Sequence, residues 1–168
     1  MKTIDKPISV FLVDDDNMFL SSLSHSLDDK FKSKVEINSF TTGEECLAKL
    51  DKKPSIVILD YHLNSENPKA MNGIQVLKKI KSENSKAMVI MLSSQDKLDV
   101  VSDSFRNGAF EYVVKNESFY IRIENMVKNI IFNVEIEEEN NRYEKWNYII
   151  GISLIALLIF DVIFYRYR

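Results

Sequence analysis

Short apolar runs and helical patterns alternate along most of this chain. Ile8 to Val13, Ser55 to Leu59, Ala87 to Leu92 and Tyr112 to Val114 are continuous enough in Val, Ile, Leu and Met to be strands buried on both faces. Val35, Ile37 and Phe40 alternate with polar residues as a half-covered strand would. Between these runs the apolar positions change to helical spacing. Phe19, Leu20, Leu23 and Leu27 follow Asn17, which is read as a helix cap. Cys46, Leu47 and Leu50 follow Thr42-Gly43-Glu44, and Pro54 breaks the chain before the next strand. Ile74, Leu77 and Ile80 follow Gly73, and Leu98, Val101 and Phe105 lead to an Asn107-Gly108 stop. A fifth stripe runs from Phe119 through Ile123, Met126, Val127, Ile130 and Ile131 to Val134.

Five strand–helix units predict an α/β fold with a doubly wound, five-stranded parallel sheet of order 2-1-3-4-5, because right-handed crossovers leave few other topologies. Five helices cover it. The folded domain is placed at residues 7–134.

The remainder is different in kind. Residues 135–146 are charged, with neither Gly nor Pro, and read as a solvated helical stalk. Residues 147–165 are apolar on every side apart from Asp161, and Trp146, Tyr148, Tyr165 and Tyr167 flank them. The eighteen residues from Tyr148 to Tyr165 make roughly 27 Å of helix, enough to cross a bilayer core, so a transmembrane helix is expected there, with a tail at 166–168. An aspartate at mid-bilayer costs about 3 kcal/mol, less near the end where Asp161 lies. A core helix or an oligomer-forming helix is the alternative, and the apolar character all round the segment weighs against it. Arg142 and Lys145 on one side balance Arg166 and Arg168 on the other, so flanking charge does not set the orientation. The apolar run that opens the chain is too short for a secretory signal and ends in three aspartates. The expected placement is therefore a single-pass membrane protein with its folded domain in the cytoplasm, at a bacterial inner membrane.

Composition narrows the function. The formal net charge of −3 gives no basic footprint for nucleic acid. Cys46 is the only cysteine, which excludes an intrachain disulfide, and its place in a helical stripe reads as a small buried hydrophobe.

The strand ends carry the chemistry. Asp14-Asp15-Asp16 end the first strand, Asp60 the third, Ser93-Ser94 the fourth and Lys115 the fifth. In a parallel α/β sheet these residues meet at the carboxyl edge, where such folds bind ligands. Two or three carboxylates, a hydroxyl and a lysine suit magnesium and a phosphoryl group. A carboxylate nucleophile repels an anionic donor, and a hard cation relieves that repulsion. Asp14, Asp15 and Asp60 can ligate Mg2+, Asp60 can attack phosphorus, and Lys115 and Ser93 can bind the transferred oxygens. Each station alone is weak, since acidic loops are usually just solvated. Their consistent position at strand ends is what raises the signal.

From Ile8 to Val134 the chain resembles the receiver domain of two-component response regulators, of the chemotaxis-regulator type with a flavodoxin-like fold. The residues that carry the resemblance are Phe11-Leu12-Val13-Asp14-Asp15-Asp16, Ile56-Val57-Ile58-Leu59-Asp60, Met91-Leu92-Ser93-Ser94 and Gly108-Ala109-Phe110-Glu111-Tyr112-Val113-Val114-Lys115. The resemblance implies that Asp60 accepts the phosphoryl group and that Asp15 binds Mg2+ directly and Asp14 largely through water. It also implies that His62 lends its backbone carbonyl to the metal. Ser93 becomes the switch hydroxyl and Tyr112 the switch aromatic. Three departures stand out, one of them Ser94 where a small alanine is common. Asn116 follows Lys115 where the family usually has proline, and a loop from Asn64 to Asn72 replaces a compact turn.

A signalling phosphoacceptor rather than an enzyme is therefore expected. A sensor histidine kinase or phosphotransfer protein would phosphorylate it, and a membrane-bound output protein would read it. A helix-turn-helix output module would need some sixty further residues and a basic face. The alternative is a phosphate-independent, membrane-tethered docking module on the same fold, against which the complete set of Asp14, Asp15, Asp60, Ser93 and Lys115 argues. A haloacid-dehalogenase-type phosphatase would need an aspartate at the position of His62.

Overall fold

The computed structural model describes residues 6–63, 69–94 and 97–166, with the side chains of residues 138, 158 and 161–164 excepted. The chain divides into two compact units between Lys128 and Asn129.

The first unit is built on five parallel strands: β1 (Ile8–Val13), β2 (Val35–Phe40), β3 (Ile56–Asp60), β4 (Met88–Ser93) and β5 (Glu111–Val114). Their spatial order is β2-β1-β3-β4-β5, as the sequence predicts. Every residue of β3 is buried, which fits a central strand covered on both faces. Side chains alternate across it. Val57 and Leu59 join Phe11, Val76, Leu77, Ile80 and Met91 in one core layer, and Ile56 and Ile58 lie buried on the opposite face.

Register brings the functional strand ends level. Val13 pairs with Leu59, Asp60 with Leu92, and Ser93 with Val114. The residue just past β1 therefore lies beside the last residue of β3.

Four helices lie wholly within this unit: α1 (Asn17–Phe31), α2 (Gly43–Leu47), α3 (Gly73–Glu83) and α4 (Leu98–Arg106). The cap of α1 is Asp16, not Asn17. The Asp16 carboxylate accepts from the amides of Met18 and Phe19 at 2.8 and 3.1 Å, so Asn17 is already the first helical residue. Leu20, Leu23, Leu27 and Phe31 bury its inner face. Helix α2 stops at Leu47, earlier than its apolar spacing suggests, and Leu50 lies in a separate 3-10 turn. Helix α3 opens with a capping box in which Asn72 and Gln75 accept from each other's amides. Gly108 ends α4 at a φ of 91°, the left-handed conformation for which glycine is suited. The loop expected from Asn64 to Asn72 lies outside the described residues over 64–68.

Helix α5 (Phe119–Arg166) opens in the first unit, where Ile123 and Val127 are buried. The second unit is helical from Asn129 to Arg166, including the stretch read as a stalk. Ile130 and Ile131 are buried, but further along the helix the apolar side chains are solvent-facing: Trp146, Tyr148, Ile149, Ile150, Ile152, Leu154, Ile155, Leu157, Ile159 and Phe160 are all at least 50% exposed.

The membrane-crossing helix expected over 147–165 is not borne out. Among the described residues no helix is long and apolar enough to cross a membrane. The rest of that expectation falls partly on Leu158 and residues 161–164, whose side chains lie outside the described residues.

Candidate functional site

The carboxyl edge of the sheet gathers its charged groups because each strand stops there. Backbone geometry holds the stopping points in place. The amide of Asp14 donates to the carbonyl of Phe40 at 3.2 Å, that of Tyr61 to Leu92 at 2.8 Å, and that of Lys115 to Ser93 at 2.8 Å. Neighbouring strands therefore continue their ladder one step into the loops that carry the site.

Asp14 and Asp60 are almost wholly buried, 2% and 3% exposed, so their charges must be answered locally. Lys115 answers both. Its Nζ lies 2.6 Å from Asp14 Oδ2 and 2.7 Å from Asp60 Oδ1. The second oxygen of each carboxylate has its own donor. The Asp16 amide donates to Asp14 Oδ1 at 3.0 Å, and the His62 amide donates to Asp60 Oδ2 at 2.6 Å.

The electrostatics follow from this crowding. Burial and the nearby Asp60 charge push the Asp14 carboxyl above its ordinary range, against the opposing pull of Lys115. For Lys115, burial disfavours the charged form, but Asp60 and Asp14 outweigh it and hold the ammonium above the usual lysine range. Lys115 is thus a fixed cation at neutral pH.

The other expected residues are close by. Asp15 follows Asp14, and its Oδ2 is buried with no hydrogen-bond partner among the described residues. Ser93 is fully buried at the end of β4. Tyr112, on β5, is buried in the core layer that also contains Met91 and Ala109. His62 meets the site through its amide, and its ring stands edge-on to Tyr61 at 4.7 Å.

The magnesium expectation is only partly met by the arrangement. Among the described residues no group of three or more acidic, His or Cys side chains is gathered to hold a metal ion. The Lys115 ammonium stands between Asp14 and Asp60 and supplies the positive charge there. The donors nonetheless suit a hard divalent cation: the Asp14 and Asp60 carboxylates face one ammonium, and the buried Asp15 Oδ2 has an unused lone pair.

Three residues have roles at the site that the sequence pattern does not predict. Gly73 does more than open α3. A β-carbon there would lie 2.3 Å from the Asp60 carbonyl oxygen and 2.7 Å from Tyr61 Cα, so only glycine lets α3 start against the end of β3. Its amide donates to the Tyr61 carbonyl at 3.0 Å. Asn116, where proline is usual, orders the turn into α5. Its side-chain oxygen accepts from the Ser118 amide and hydroxyl at 3.1 and 3.0 Å. Phe19 was read as part of the α1 core stripe. Its ring instead lies under Lys115, 4.4 Å from Nζ to the centroid. Two adjacent large apolar residues, Phe19 and Leu20, were the available signal, since one of them had to leave the buried stripe.

A five-stranded parallel sheet of this order, with buried aspartates and a lysine at its carboxyl edge, defines a receiver-type fold. The family model for the response regulator receiver domain matches residues 10–128, and the chain belongs to that family. It is 31% identical over 107 residues to the chemotaxis protein CheY of Listeria monocytogenes, across 62% of this chain and 83% of that protein. It is 28% identical over 114 residues to the transcriptional regulatory protein MalR of Bacillus subtilis, across 67% of this chain but 46% of that protein. The chain thus spans less than half the length of MalR. Among solved structures, the CheY-like receiver domain protein of Methanospirillum hungatei shares the fold with a TM-score of 0.66 at 23% identity, over 78% of this chain and 98% of that one.

Proposed function

We propose that this protein is a phosphorelay signalling protein that accepts a phosphoryl group on Asp60 from the phosphohistidine of a sensor kinase or phosphotransfer protein. The observation that carries this reading is the Lys115 ammonium held 2.6 and 2.7 Å from two buried carboxylates. One carboxylate oxygen of Asp60 forms the new P–O bond as the donor's P–N bond breaks, and the electron pair leaves with the imidazole. Lys115 is within reach of the new phosphoryl oxygens, and Ser93 and nearby backbone amides offer further donors. Asp14, Asp15 and Asp60 would hold Mg2+, with the His62 carbonyl as a further ligand, and the ion would neutralise charge on the phosphoryl oxygens. The protein is a phosphoacceptor in this reading, not a turnover enzyme.

Phosphorylation then biases a two-state surface. Ser93 is drawn to the phosphoryl group, and Tyr112, one strand away, repacks with it. The ten exposed apolar side chains from Trp146 to Phe160 support a further reading, that the helix anchors the protein in a membrane with the receiver in the cytoplasm. Anchoring would raise the effective concentration of a membrane-bound output partner.

Acetyl phosphate with Mg2+ tests the first reading. A hydroxylamine-sensitive label should appear on the parent chain, vanish on chelation and be absent from Asp60→Asn. Label retained in that variant would sink the assignment. Membrane fractionation of the full chain checks the anchor: recovery with the soluble proteins rules it out.

A further inference from the structure

Lys115 is held from two directions, and only one of them is acidic. Its Nζ lies 4.4 Å from the centroid of the Phe19 ring, on the ring face, within the range of a cation–π contact. Phe19 is itself backed. Phe119 stacks on it with centroids 5.5 Å apart and an interplanar angle of 23°, and Tyr120 tilts against Phe119 at 4.0 Å. Phe119 is the first residue of α5, and its amide donates to the Asn116 carbonyl at 3.1 Å. The Asn116 turn therefore sets Phe119, Phe119 supports Phe19, and Phe19 presents its negative face to the ammonium.

We propose that Phe19, backed by Phe119, is a positioning residue for Lys115. It holds the ammonium at the carboxyl edge when the Asp60 oxygen leaves the ion pair to bond to phosphorus. The physical argument concerns what Lys115 loses in that step. In the resting site its charge is matched by Asp14 and Asp60. Once Asp60 is esterified, one carboxylate partner is gone and the ammonium must shift toward the phosphoryl oxygens. The ring face attracts a cation without demanding a single direction, so it keeps Lys115 in the site through the shift. A hydrogen-bonding partner in that place would fix the ammonium to one position. This inference rests on Asp60 being the phosphoacceptor.

The test is a fluorination series at position 19 of the full-length chain, purified in detergent. One, two and three ring fluorines weaken the negative face stepwise at nearly constant shape. With acetyl phosphate, the maximal labelling rate should fall stepwise, by about threefold to tenfold across the series, in keeping with a partly desolvated cation–π contact. Phe19→Leu should show the full loss, and Phe19→Tyr and Phe19→Trp should keep the parent rate within about twofold. Labelling that is indifferent to fluorine content overturns the inference and leaves the Asp60 assignment standing. A second arm needs no phosphoryl transfer. In the parent, ring current from Phe19 should move the Lys115 ε-methylene protons upfield in proton–carbon spectra, and Phe19→Leu should abolish that shift. If the parent takes no label, the phosphoacceptor reading fails and the inference about the step fails with it. If the ε-methylene signal is unmoved by Phe19→Leu, the contact itself is refuted whatever the labelling shows.

Discussion

Leu59 and Ile152 are both large aliphatic residues within regular structure, yet they live in opposite surroundings. Leu59 is fully buried in β3, and Ile152 is half exposed on α5. The same contrast separates the receiver from the helical unit after Lys128. In the receiver, apolar spacing is matched by burial, strand by strand. In the helical unit from Trp146 to Phe160, apolar content rises and burial falls. Hydrophobicity along a chain thus predicts where a side chain would rather be, and the described side chains from Trp146 to Phe160 show that preference unmet.

The contrast can be broken by substitution. Leu59→Ala should cost about 2–5 kcal/mol in urea unfolding, the usual range for a core truncation. A cost under about 1 kcal/mol would mean that β3 is not the packed centre. Gly73→Ala should cost about 1–3 kcal/mol, because its β-carbon would meet the Asp60 carbonyl and Tyr61 backbone rather than a flexible side chain. It should also slow labelling of Asp60, since the strand end must move to make room. Asp16→Ala removes the α1 cap and should cost about 1 kcal/mol. Ile152→Ala, by contrast, should change receiver stability by less than about 0.5 kcal/mol. A larger loss would show that the exposed helix is coupled to receiver folding.

The remaining effects are pH-dependent. Burial pushes the Cys46 thiol up to about 12. Above an ordinary thiol pKa of about 8.5 the unfolded chain loses that proton while the folded chain keeps it, so stability falls as pH rises toward about 12. Cys46→Ala should be less stable at neutral pH but should lose this part of the alkaline slope, as thermal melts would show. Asp14 works in the acid direction. Its raised pKa means that the folded state binds the proton more tightly than the unfolded one. The parent should therefore gain stability relative to Asp14→Asn as pH falls from neutral through that raised value. The opposite trend would show that Lys115, not burial, dominates Asp14.

Much of this molecule was legible because its signals are one-dimensional. A buried parallel strand needs a continuous apolar run, and the residue that ends the run must lie at the sheet edge. That logic placed Asp14, Asp60, Ser93 and Lys115 correctly along one edge. What it could not supply was contact between elements far apart in sequence. Phe19 fits a helical stripe as well as Leu20 does, and only the approach of β5 and α5 decides which of them packs inward. Gly73 reads as an ordinary helix opener until the end of β3 is placed against it. The α1 cap is Asp16 rather than the expected Asn17 because both residue types cap helices, and the sequence does not show which one has extended backbone. Helix α2 was drawn too long for a similar reason: Leu50 keeps the apolar spacing while belonging to a separate turn.

The lone thiol has a practical consequence. Cys46 is fully buried, and at neutral pH it carries almost no thiolate. The native chain should therefore stay dark to maleimide dyes while folded. A single cysteine introduced at exposed Met18, beside the carboxyl edge, would take the dye by itself and turn the protein into its own fluorescent reporter of what docks there.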